Sequence, residues 1–195
     1  MNICRYQQRE CGASGPQGEE HMAKDYLNVI ERALMMGISD KINDAVTGEV
    51  YVFGQFPETE ELKFPAIVVQ QVASGFEEKY FGEDITFGST SAAASGEVYG
   101  MAFLVHLFVD RETVLKIDTT GNSTPDTDYK QRRLLNWLML NIANSVMEIN
   151  WSDYEEEELE ILERHLSQWR DIGFLPASQW NGATAEFEIY FLNKR

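Results

Sequence analysis

The chain has 195 residues, 44% of them hydrophobic and 12% aromatic, so it holds the material for a core and is not a disordered polymer. Its 32 acidic residues against 16 basic ones give a net charge of −16. That excludes a protein that wraps nucleic acid or lies on an anionic membrane surface, since both rely on an excess of Lys and Arg.

No apolar run approaches the roughly 20 residues of a membrane helix, and residues 1–20 lack the apolar centre of a signal peptide. A soluble, intracellular, acidic domain is expected. Residues 1–22 are rich in Gly, Gln, Glu and Arg without apolar periodicity and read as a flexible N-terminal arm. Cys4 and Cys11 fall within it, at a spacing that matches no tight zinc pair. They read as free thiols, and no metal site is expected. Residues 23–195 then read as one domain.

Leu27, Ile30, Leu34, Ile38 and Ile42 recur every three or four residues and predict a helix, with Gly37 and Ser39 as a possible bend. Thr47 and Gly48 end it, and residues 49–53 (EVYVF) carry strand composition. After a polar connection, residues 64–72 (FPAIVVQQV) form a second strand opened by Pro65. Residues 74–96 hold four glycines and a run of small residues, the pattern of a long loop or β-hairpin arm. Its aromatics Phe76, Tyr80, Phe81 and Phe87 argue against simple disorder and suit cover by a partner.

Residues 97–109 (EVYGMAFLVHLFV) give the longest strand signal. From Met101 onward only His106 is polar, so neither face looks built for water. Val98, Met101, Phe103 and Val105 therefore join the arm aromatics as candidate interaction residues. A polar connection leads to Pro125, Asp126 and Thr127, which suit a helix start. The helix expected over 128–149 carries Leu135, Leu138, Ile142, Val146 and Ile149 along one stripe, widened by Leu134, Trp137, Met139 and Leu140. Residues 152–170 place Leu159, Leu162, Leu166 and Trp169 at helical spacing and read as a helix, with a bent or bulged strand as the competing reading. Residues 185–192 (AEFEIYFL) alternate, with Phe187, Ile189 and Phe191 inward and Glu186 and Glu188 outward.

Catalytic motifs are absent from this pattern. His21, His106 and His165 lie on the arm, in an apolar strand and in the ambiguous segment, and no G-x-S-x-G supports a nucleophile. The Ser-rich residues 88–96 lack the lysine of a phosphate-binding loop. Glu155–Glu158 lack the interleaved turn residues of a calcium loop and read as a solvated face. The sequence offers no catalytic, cofactor-binding or metal-ligating residue. The stronger signal is surplus apolar surface, the usual mark of an interaction site.

The order of elements resembles the tail terminator and related neck or tail-completion proteins of tailed bacteriophages. The resemblance runs from the first helix through FPAIVV (64–69), the long strand ending VHLFVDR (105–111), RDIGF (170–174) and AEFEIYF (185–191), over roughly residues 24–195. It implies an α+β fold, a mostly antiparallel sheet packed by two main helices with a long β-hairpin arm. It also implies a homohexameric ring that caps the tail tube, with contacts between subunits on residues 75–96 and 98–109. Implied partners are further copies of the chain, the tail tube protein, a head–tail connector or other neck protein and the sheath protein. DNA would cross the lumen without specific binding; the net charge of −16 adds the expectation that acids facing the lumen repel phosphate. The rival expectations are an acidic binding module, such as a DNA mimic or adaptor, and a metal-dependent enzyme using the acid cluster.

Overall fold

In the computed structural model of the chain, residues 26–58, 62–76, 96–119, 125–150, 159–176 and 179–194 are described. Helix α1 (Tyr26–Asn43) is followed by strands β1 (Val46–Thr47), β2 (Tyr51–Phe53), β3 (Ala66–Phe76), β4 (Gly96–Asp110), β5 (Val114–Ile117) and β6 (Thr127–Lys130). Helix α2 (Gln131–Glu148) and strands β7 (Leu159–Leu175) and β8 (Trp180–Lys194) complete the chain. Two helices and about half the residues in strands make this an α+β fold. Five strands form the main sheet in the order β2-β3-β4-β8-β7, antiparallel except for the β2–β3 pair. A small antiparallel sheet, β1-β5-β6, sits beside it.

Both helices pack on one face of the main sheet, α1 toward β2 and β3 and α2 over β4 and β8. The period-two pattern of β4 sends Met101, Phe103, Val105, Leu107 and Val109 to that face. From β8 come Ala183, Ala185, Phe187, Ile189 and Phe191, all buried. Ile30, Leu34, Ile38 and Ile42 of α1 and Leu134, Leu135, Leu138, Ile142 and Val146 of α2 meet them in one continuous core. The helices touch closely at Gly37, where an added Cβ would fall 2.6 Å from Ile149 Cγ1. A glycine is needed here for contact with α2, and α1 runs through it as one helix. After α1, the Asn43 side chain clamps the turn: its Oδ1 accepts from Val50 N–H at 2.8 Å and its Nδ2 donates to Val50 O at 3.2 Å.

Four expectations fail in the structure. Residues 159–175 form strand β7, not a helix. Bulges between Ile161 and Glu163, Leu166 and Gln168, and Asp171 and Gly173 leave Leu162, Ser167 and Ile172 unpaired, one in every five residues. Each extra residue flips the alternation. The residues opposite the inward side chains of β8 are then Ile161, Arg164, Leu166, Trp169 and Asp171, at steps of three and two that imitate a helical stripe.

The connection after Arg111 is also no simple loop, because Leu115 and Ile117 of β5 are buried and pair with β6. Asp126 and Thr127 serve that hairpin instead of capping a helix. Asp126 N–H donates to Ile117 O, and its Oδ1 accepts from the hydroxyls of Thr119 and Thr127. Helix α2 starts at Gln131, whose φ of 49° turns the chain directly out of β6, and Lys130 at its N-cap makes no side-chain cap. The strand expected over residues 49–53 is β2, shorter and beginning at Tyr51, and it is preceded by β1 at Val46–Thr47.

Candidate functional site

The face of the main sheet away from the helices is the candidate site, and strand register lays out its rows. At one end Ala66, Phe108, Gly182 and Gly173 lie across four strands. The next row is Val68, His106, Thr184 and Arg170, then Gln70, Leu104, Glu186 and Gln168. Ala102, Glu188 and His165 follow, and last Gly100, Tyr190 and Glu163.

The first end is apolar. Phe108 meets the Trp180 ring edge-on at 4.7 Å, and Ala66 and Val68 are fully buried beneath Phe53, Leu62 and Phe64. Gly182 leaves the space that Trp180 and Ile172 fill, since an added Cβ would fall 2.9 Å from the Trp180 ring. Phe56 lies against His106 and Phe108 and stays 53% exposed, and Ile172 stays 44% exposed. The chain thus covers part of the second face of β4 itself, which reduces the surplus apolar surface the sequence suggests.

Toward the other end the face turns polar and acidic. Glu186 accepts from Gln168 Nε2 at 2.6 Å. Glu188 accepts from the Ser167 hydroxyl at 2.9 Å and the Tyr190 hydroxyl at 3.2 Å. Glu163 contacts His165 at 2.8 Å. Among the described residues no Lys or Arg pairs with Glu186 or Glu188; neutral donors hold both in place. Between the two ends, His106 Nδ1 shares a hydrogen bond with Thr184 Oγ1 at 3.0 Å. Burial lowers the His106 pKa from its ordinary 6.5, favouring the neutral ring. No described carboxylate orients that ring as a nucleophile relay needs.

The named interaction residues divide three ways. Met101, Phe103 and Val105 are 2%, 0% and 0% exposed and form the core beneath the helices, so they offer no surface, and the β4 residues on the candidate face are instead Ala102, Leu104, His106 and Phe108. The backbones of Phe76 and Val98 pair with Tyr99 and Leu192 in the sheet. Tyr80, Phe81 and Phe87 lie outside the described residues, as do the acid run Glu155–Glu158, both cysteines and His21. Among the described residues no three His, Cys, Asp or Glu converge as metal ligands, and no helix is long and apolar enough to cross a membrane. Sequence alternation already turned Glu186 and Glu188 outward. Ser167, Gln168 and Ile172 join them only through the bulges of β7.

No protein-family model matches the chain, and no curated protein matches it in sequence.

Proposed function

We propose that the chain is a structural ring subunit at the head-proximal end of a bacteriophage tail, a tail terminator or closely related neck protein. Its action is geometric: copies close into a ring, seat on the last ring of the tail tube, block further addition and present a surface to the head connector. The observation that supports this reading is the one-sided sheet, covered by two helices on one face and bearing a partly exposed apolar end on the other. A ring subunit needs two different surfaces, each meeting the other on its neighbour. The order of helices and strands that resembles the family adds to it. An acidic lumen wall would let DNA pass without sticking.

Native mass spectrometry and negative-stain imaging over a range of concentrations test the proposal. A closed ring of 22.3 kDa subunits, hexameric by the family resemblance, is the expected result. Glu186 and Glu188, side by side without a described cationic partner, favour a second reading, an acidic module that binds a basic protein. A monomer or dimer that binds such a protein tightly and loses it in salt would replace the ring proposal with that one.

A further inference from the structure

From Tyr129 to Met147 there is no Asp or Glu, in a sequence that carries 32 of them. The start of this stretch brings Lys130, Arg132 and Arg133 together. Arg132 pairs with Asp171, and the Arg133 guanidinium lies over the Tyr129 ring, 4.0 Å from its centre. Lys130 is exposed opposite Val114 in the β5–β6 register, and Val114 is itself 49% exposed. Leu140, two turns along α2 from Arg133 and so on the same side of the helix, is 61% exposed. No described carboxylate pairs with Lys130 or Arg133. Arg133 and Leu140 lie on the side of α2 away from the sheet, and Val114 and Lys130 lie on the exposed face of the small sheet, which they share with Lys116 and Asp128.

We propose that the helix-free sheet face of one copy docks on the Val114–Lys130–Arg133–Leu140 surface of a second copy, with Glu186 and Glu188 facing Lys130 and Arg133. This rests on the ring reading and names its interface. Charge decides the pairing. Two sheet faces meeting symmetrically would bring Glu186 and Glu188 of both copies into one contact with Arg170 of the same face to offset them, whereas α2 carries no acid from Gln131 to Met147 and offers Arg133 beside Leu140. The two patches differ, so the contact is head-to-tail, the kind that can close into a ring. Edge pairing through β7 is the weaker alternative, because its regular bulges twist the strand away from a flat template.

The test uses two double variants of the full chain, Glu186→Lys with Glu188→Lys and Lys130→Glu with Arg133→Glu. Circular dichroism establishes that each is folded, and sedimentation velocity reads assembly. Each variant alone should need at least a tenfold higher concentration for half-assembly. Mixed in equal amounts, they should assemble like the wild type into particles containing both, because every contact in the mixture is again complementary. Wild-type rings with variants that assemble unchanged, or with a mixture that stays apart, would overturn this interface and leave the ring reading standing. A wild-type chain that is monomeric at every concentration, with or without tail tubes, would overturn the ring reading and the interface with it.

Discussion

At Gly37 the missing side chain is a packing requirement. A methyl group would enter the space of Ile149 Cγ1 and Cδ1, at 2.6 and 2.8 Å, and Ile149 is only 7% exposed. Replacing glycine by alanine inside a helix normally gains about 1 kcal/mol. Overpacking a filled contact costs about 1–3 kcal/mol. Gly37→Ala is therefore expected to be net destabilising by up to about 2 kcal/mol in urea unfolding. Adding Ile149→Ala should make the pair less destabilised than the two single losses combined. A stabilised Gly37→Ala would mean that α1 and α2 can separate freely.

His106 makes a pH-dependent contribution whose sign follows from burial. The folded state binds its proton less readily than the unfolded chain, whose histidine titrates near 6.5. Stability from this group is intact above that value and is lost as pH falls below it. The stability of the wild type relative to His106→Gln should therefore decline between about pH 7.5 and about pH 5.5, read from urea midpoints of both chains. A constant difference would mean that the ring is as well hydrated in the fold as outside it. The sequence places His106 in an apolar strand, but only the packing of Phe56 and the hydroxyl of Thr184 give the imidazole its environment.

Among the elements, β7 matters most to the helix layer, because it crosses the end of α2 and closes it. Arg164 Nη1 donates to Val146 O at 3.2 Å and to Ile149 O at 3.0 Å, two carbonyls at the helix C-terminus. A cation at that end also complements the helix dipole. Arg164→Met keeps the apolar stem and removes the donors, with an expected cost of about 1–3 kcal/mol in thermal or urea unfolding. Unchanged stability would show that water replaces the guanidinium without penalty. The bulge pattern that aims Arg164 at α2 is also what hides β7 in the sequence. A strand with one extra residue in every five loses its period of two, and Leu159, Leu162, Leu166 and Trp169 then match a helical stripe. By contrast α1, α2 and β8 are legible because they hold one period over many residues, and β3 and β4 because they are continuous β-branched and aromatic apolar runs. β5 and β6 are too short for periodicity to register, and the Pro125–Thr127 turn imitates a helix cap.

For the whole molecule, the candidate face was legible in its chemistry but not in its orientation. β4 is apolar on both sides, and alternation cannot say which side the helices cover. Met101, Phe103 and Val105 went to the core because α2 packs there, which left Leu104 and His106 outside with Glu186. Net charge then acts over the full assembly. A chain of −16 repels its copies over distances comparable to its diameter, beyond the Debye length of about 8 Å at physiological salt. A Glu186–Lys130 type of contact would lie well inside that length and be screened much less. Self-association is therefore expected to tighten as salt rises from about 0.02 M to about 0.15 M, and the thermal midpoint of the chain to rise with it, as self-repulsion is screened. Sedimentation velocity and thermal unfolding across that salt range check both. Association that weakens throughout would mean that the docking contact is dominated by exposed ion pairs, and that the apolar end of the sheet face contributes little to it.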